Sequence, residues 1–122
     1  MKTELTLLSD SEKKISLIGE AASGRKAENI VIMEMKRRSG LCDYFVVMSA
    51  SSTVRVKAVV DSIEESLEDE GLRARHKEGY HEALWVLLDY GTVVVHVFHE
   101  TTRKFYDLEN LWGDAPRRTF VK

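Results

Sequence analysis

The sequence predicts an α/β (α+β) fold, a mixed sheet of about five strands with helices packed on it. Three observations point there. Val56, Val59, Val60, Ile63 and Leu67 form one helical stripe in mid-chain, about right for lying on a sheet. Short β-branched and aromatic runs flank that stripe on both sides. Two apolar runs separated by Gly91 read as a tight hairpin. A central helix between strands allows a parallel crossover, placing strands two and three parallel, whereas short turns make antiparallel neighbours. The sheet is therefore expected to be mixed.

Taken in order, Ser9-Asp10-Ser11-Glu12 has capping-box spacing, with Ser9 able to cap and Glu12 able to reach back. Ile15, Ile18 and Ala22 follow at helical intervals, which predicts a helix over 10–23. Residues 29–35 (NIVIMEM) and 43–49 (DYFVVMS) are strands, with 36–42 between them as a turn containing Ser39-Gly40. The second run is apolar almost throughout, as suits a strand covered on both faces. Ser51-Ser52 offers a hydroxyl cap to the central helix, which runs to about Glu70, with Gly71 placed to stop it. A weaker strand follows at 72–77, then the hairpin of 84–90 (LWVLLDY) and 92–98 (TVVVHVF). Thr101-Thr102-Arg103 opens a short amphipathic helix carrying Phe105, Leu108, Leu111 and Trp112, stopped by Gly113. The tail, 115–122, has no periodicity and is expected to be loose.

The 122 residues, 43% hydrophobic, suit one domain over 1–122 with its core at about 9–114. Cys42 is the only cysteine, so no intramolecular disulfide forms. Its neighbour Asp43 opposes a thiolate, so a small packed side chain is the expected role. No apolar run approaches membrane-spanning length, and the start MKTELTLLSDSEKK lacks a signal-peptide core, so a cytoplasmic location and no membrane partner are expected. The charge is −2, from 18 basic and 20 acidic residues. Phosphate-driven binding usually needs a basic excess, so the clusters Lys36-Arg37-Arg38 and Arg117-Arg118 read as solvated surface, not as a sequence-specific nucleic-acid site.

No reaction finds its full set of residues. His96 and His99 are three apart in a strand, which aims them at opposite faces, and His96 in its apolar run reads as a hydrogen-bonded structural histidine. Ser49-Ala50-Ser51-Ser52 lies between a strand and a helix start, a geometry able to bind anions, yet it lacks the glycines of a phosphate loop. No Asp-x-Asp or Asp-x-Glu pair sits on a strand to hold magnesium. The chain is thus expected to be no enzyme, with no metal and no cofactor. A surface reading remains. Trp85 shares its strand face with Leu87 and Asp89, Tyr80 and Tyr90 flank the run, and Glu78 and Glu82 lie nearby. Aromatics beside acidic side chains suit a protein interface, although periodicity alone leaves Trp85 equally open to a core role.

Three blocks carry a resemblance. The first is Asp43-Tyr44-Phe45-Val46-Val47 with the turn 49–52 and Val56-Lys57-Ala58-Val59-Val60-Asp61. The second is Glu78-Gly79, Trp85-Val86-Leu87-Leu88-Asp89-Tyr90-Gly91 and Val94-Val95-His96-Val97-Phe98. The third runs from Arg103-Lys104-Phe105-Tyr106 through Asp107-Leu108-Glu109-Asn110-Leu111-Trp112 to Gly113-Asp114-Ala115. Together they resemble the ribosomal silencing factor family, also called the Iojap family. The resemblance implies a nucleotidyltransferase-like fold without catalysis. It implies binding to the large ribosomal subunit through ribosomal protein uL14, which blocks joining of the small subunit and represses translation under nutrient limitation. It also implies a homodimer when free. Glu78, Trp85, Asp89 and Tyr90 are the expected partner-binding residues, the aromatics as apolar contacts and the carboxylates as partners for a basic protein. A role in large-subunit maturation is the alternative, followed by a vestigial nucleotide site. One departure is visible: Ala50 stands where the family usually has glycine, which weakens the nucleotide alternative if that glycine shaped a pocket.

Overall fold

The computed structural model describes residues 9–38, 40 and 42–121; Ser39 of the expected turn and the first eight residues lie outside them. Ser9 caps the first helix, α1 (Asp10–Gly24), its hydroxyl accepting the Glu12 amide at 3.1 Å. The Glu12 carboxylate goes elsewhere, pairing with Arg118 at 3.0 Å. Ile15, Ile18 and Ala22 are buried, as their spacing required. Strands β1 (Glu28–Glu34) and β2 (Tyr44–Ala50) pair antiparallel, with a bulge between Glu28 and Val31 where Asn29 takes a positive φ of 50°.

Ser52, not Ser51, caps helix α2 (Thr53–Glu68) through the Arg55 amide. All five apolar residues of the stripe are buried. Each contributes about 1.5–3 kcal/mol relative to exposure. Strands β3 (His76–Glu78), β4 (Trp85–Asp89) and β5 (Val93–His99) follow, the last two joined by the expected hairpin with Gly91 at φ 83°. Helices α3 (Glu100–Tyr106) and α4 (Leu108–Leu111) and strand β6 (Arg117–Thr119) complete the described chain.

The sheet has six strands in the order β3-β4-β5-β2-β1-β6. The α2 crossover does yield strands that run in the same direction, but the parallel neighbour of β2 is β5, not β3. The hairpin accounts for this: β4 pairs antiparallel with both β3 and β5, which carries β3 out to the far edge. The expected loose tail is also corrected. Residues 117–119 pair antiparallel with β1, and Phe120 donates its amide to the Ile30 carbonyl. The Phe120 ring lies over Gly19 of α1 so closely that a Cβ there would come within 2.3 Å of it. A tail without periodicity is thus held by its ladder with β1, and by this seat and the Glu12–Arg118 pair against α1.

The two sheet faces differ. Helices α1 and α2 cover one, burying Ile30, Ile32, Val46, Met48, Val86, Leu88, Val95 and Val97 in one cluster. On the other face Met33, Val47 and Phe98 pack with Leu108 and Ala115, while Val31, Phe45, Trp85 and Val94 stay half-buried. Cys42 is buried beside Met33 and Met35, as expected of a small packed side chain. Among the described residues no helix is long and apolar enough to cross a membrane.

A groove at the open margin of the sheet

Trp85 starts β4 opposite Phe98 of β5, on the face away from α1 and α2. Its indole stacks on the Phe98 ring at 4.9 Å between centroids and meets Tyr106 of α3 at 4.8 Å. Its N–H donates to His96 Nδ1 at 3.1 Å. His96 is buried among Trp85, Phe45 (4.5 Å, edge to face) and Phe98. Burial pushes its pKa down to about 4, so the ring is neutral, with Nδ1 an acceptor and the proton on Nε2. This matches the structural role expected of it. His99, expected on the opposite face, lies at the strand end and accepts the Thr101 amide as the cap of α3.

Beside Trp85 opens a groove of about 690 Å³, lined by Gly79, Glu82, Leu84, Thr102, Phe105 and Tyr106 among others. Three of these are large apolar side chains standing in water: Leu84 is 45%, Tyr106 50% and Phe105 81% exposed. Gly79 is required here. It sits at φ 79°, and a Cβ would meet the Trp85 carbonyl oxygen at 2.0 Å. The wall made by α3 is held from below by Arg103, whose guanidinium reaches the Ser49 hydroxyl (3.1 Å), the Glu28 carbonyl (3.3 Å) and the Glu109 carboxylate (3.0 Å).

The expected amphipathic helix is corrected by this geometry. Asp107 takes a left-handed φ of 48° and splits it into α3 and α4. The turn that follows is rotated, so Leu108 is buried and Trp112 half-buried while Phe105 and Leu111 face solvent. Leu84, Phe105 and Tyr106 are thus groove residues; the sequence pattern had put Leu84 in a strand and Phe105 on the apolar stripe of a helix, and had given Tyr106 no role. Their signal was present only as adjacency of Phe105 and Tyr106, two aromatics that no single helical stripe can bury together.

Of the four expected contact residues, three share the open face. Trp85 and Asp89 alternate along β4, and Glu78 on edge strand β3 lies opposite Leu87 of that same face. Glu78 is exposed and its carboxylate is 3.1 Å from His76. Asp89 accepts the Gly91 amide at 2.8 Å and lies 3.7 Å from Arg75. Tyr90 is the exception. It is 5% exposed and belongs to the cluster beneath α1 and α2, where burial, with Glu64 and Glu68 adding, pushes its phenol well above the usual range. Alternation puts it with Val86 and Leu88, so its side chain supports the strand and is not available as a contact.

Two hydroxyls of the turn at 49–52 are used internally: Ser49 accepts from Arg103, and Ser52 caps α2. Ala50 is buried in extended strand opposite His99 and not at positive φ, so alanine fits without strain. In the basic clusters, Arg38 donates to the Asp114 carbonyl, Arg117 to the Glu109 and Trp112 carbonyls, and Arg118 to Glu12. Among the described residues no group of His, Cys, Asp and Glu side chains has metal-holding geometry.

Fold and groove define an α+β protein that presents an aromatic groove at the uncovered margin of a mixed six-stranded sheet. Residues 8–122 match the family model described as "Ribosomal silencing factor during starvation". The chain belongs to the ribosomal silencing factor family. It is 41% identical over 107 residues to Ribosomal silencing factor RsfS of Bacillus subtilis, covering 87% of this chain and 91% of that one. Over 101 residues it is 33% identical to the chloroplastic protein Iojap of Zea mays, 80% of this chain and 42% of that longer one. A crystal structure of a Chromobacterium violaceum protein superposes with a TM-score of 0.83 at 30% identity, over 93% of this chain and 95% of that one. A Bacillus halodurans structure gives 0.79 at 35%, over 89% and 99%.

Proposed function

We propose that this chain docks on ribosomal protein uL14 of the large ribosomal subunit and blocks joining of the small subunit by occupying the shared face. The observation that carries this reading is the groove beside Trp85, where Leu84, Phe105 and Tyr106 stand in water. Clustered exposed apolar side chains of this kind mark interaction surfaces. Glu82 in the lining, with Glu78 and Asp89 on the same sheet face, supplies the charge that suits a basic ribosomal protein. The action is steric and needs no reaction. A micromolar dissociation constant, about −8 kcal/mol, is within reach of a standard interface with one or two aromatic anchors. Repression under nutrient limitation then follows from occupancy of large subunits in the cytoplasm. The free protein is read as a homodimer, which hides part of its exposed apolar surface.

Sucrose-gradient sedimentation of purified subunits tests this. Co-migration with the large subunit and fewer joined ribosomes are expected, and large subunits lacking uL14 should not retain the protein. Trp85→Ala should weaken binding about 30-fold or more, as loss of an aromatic hot spot of about 2 kcal/mol does. A chain that stays at the top of the gradient at micromolar concentration overturns the proposal.

A further inference from the structure

We propose that His96 is a positioning residue for the groove: its buried ring accepts the indole N–H of Trp85 and fixes the orientation in which that indole meets a basic protein partner. This rests on the reading of the groove as the partner site. The geometry is specific. His96 lies opposite Leu87 and Trp85 opposite Phe98, so the two side chains meet diagonally on one face, joined by a 3.1 Å N–H···N bond. The imidazole has little freedom of its own, with Phe45 edge-on at 4.5 Å and Phe98 at 6.4 Å. Trp85 by contrast is only half-buried and borders the groove; Phe98 at 4.9 Å and the half-exposed Tyr106 at 4.8 Å pack on its ring, but neither contact is directional enough to fix its rotation.

The other imidazole nitrogen strengthens the argument. Nε2 is buried and finds no partner among the described residues. A buried N–H without an acceptor is costly, and a leucine or phenylalanine would fill an apolar site without that cost. What a hydrocarbon lacks is the acceptor at Nδ1. That acceptor exists only in the neutral ring, and burial, holding the pKa at about 4, keeps the ring neutral well below physiological pH. The groups packed on His96 are rings, Phe45 from β2, Trp85 from β4 and Phe98 from its own strand. Charged side chains rooted on or reaching that face are engaged elsewhere: Glu78 by His76, Asp89 by Arg75, Arg103 by Glu109, and Arg117 by the Glu109 and Trp112 carbonyls.

The test uses two readouts on the whole chain. The first is solvent exchange of the Trp85 indole N–H by nitrogen-15 NMR, with Trp112→Phe assigning the signal. Protection is expected in the natural protein, reduced at least tenfold in His96→Leu, and kept in His96→Asn, whose amide oxygen can sit where Nδ1 does. Acidification through about pH 4 should abolish protection in the natural protein and leave it unchanged in His96→Asn. The second readout is large-subunit binding, expected to fall about tenfold in His96→Leu and to recover in His96→Asn. Should His96→Leu fail to fold, Trp85→Phe replaces it, keeping a ring without the N–H, and the same tenfold loss is expected. Equal protection in His96→Leu and the natural protein overturns the proposal. So does lost protection, or Trp85→Phe, with binding unchanged. If Trp85→Ala itself binds normally, the groove reading fails and the positioning role for binding falls with it, whereas the NMR result distinguishes that failure from an absent hydrogen bond.

Discussion

Replacing Arg103 with methionine should loosen the groove wall while leaving most of the sheet intact. The side chain is 10% exposed and its ion-pair partner Glu109 25% exposed. Methionine retains most of the stem volume, so the loss is chiefly electrostatic. It strands the Glu109 carboxylate, whose Oε1 already lacks a partner, and removes a donor from the Ser49 hydroxyl and the Glu28 carbonyl. Breaking a buried pair by removing one member costs about 3–5 kcal/mol, and the water left to Glu109 places this case near 3. At about 4 °C per kcal/mol for a chain of this size, the melting temperature should fall by roughly 12 °C. Urea unfolding is the assay, with the slope unchanged if the folded and unfolded states keep their compactness. Removing both charges, Arg103→Met with Glu109→Leu, should destabilise by at least about 1 kcal/mol less than the two single losses added, because no charge is stranded. Hydrogen exchange should rise first in residues 100–112, and large-subunit binding should weaken with it. A loss below about 1 kcal/mol, or a double variant as damaged as the sum, would refute the idea that this pair holds the wall.

Acid should act through His96. Its native pKa, about 4, lies below the ordinary 6.5, so the unfolded chain takes up a proton first. Stability is therefore full above about pH 7, falls from about 6.5 down to 4, and loses on the order of 3 kcal/mol from this group. His96→Asn should lack that component of the decline in a pH series of urea melts. Gly79→Ala should cost about 2 kcal/mol or more, since a left-handed φ and contact with the Trp85 carbonyl oxygen both oppose it, and thermal melts will report the loss. Phe120→Ala should cost about 2 kcal/mol in the same melts, below the full core value because the ring is half-buried, and should expose the β6 amides to exchange.

Helix α2 was legible because every local signal agreed: the serine cap, the five-residue stripe and Gly71 at φ 78°. The β4–β5 hairpin was legible for the same reason, and residues 43–49, apolar almost throughout, marked a strand that is buried from Val46 to Ala50 and half-buried at Tyr44 and Phe45. What failed was non-local. Arg117-Arg118-Thr119 has no strand pattern, yet it pairs with β1 while Phe120 seats over Gly19, about a hundred residues earlier. The break at Asp107 was hidden, since an aspartate in left-handed conformation looks no different in sequence from one on a solvated helix face. Trp85 was half legible. Alternation gave its face, shared with Leu87 and Asp89, but not what would cover that face. The same alternation already separated Tyr90 from Trp85, and it was nearness in sequence, aromatics flanking one run, that placed the two together.

The position of the groove follows from how the second face is covered. Helices α1 and α2 cover the four central strands on one side of the sheet, whereas α3, α4 and the 112–115 segment are too short to do so on the other. They reach Met33, Val47 and Phe98 and leave the β4 margin bare, so Trp85 stands at the boundary between core and solvent. One side of its ring is tied to Phe98 and His96, and the other is offered outward between Leu84 and Tyr106. An anchor held this way is ordered before any partner arrives, so little entropy is lost on docking and more of the contact energy remains as affinity. For a protein proposed to act by occupying a site against a competing ribosomal subunit, residence on that site is the whole activity. The fold supplies it by leaving one margin of its sheet uncovered and stiffening what it leaves there.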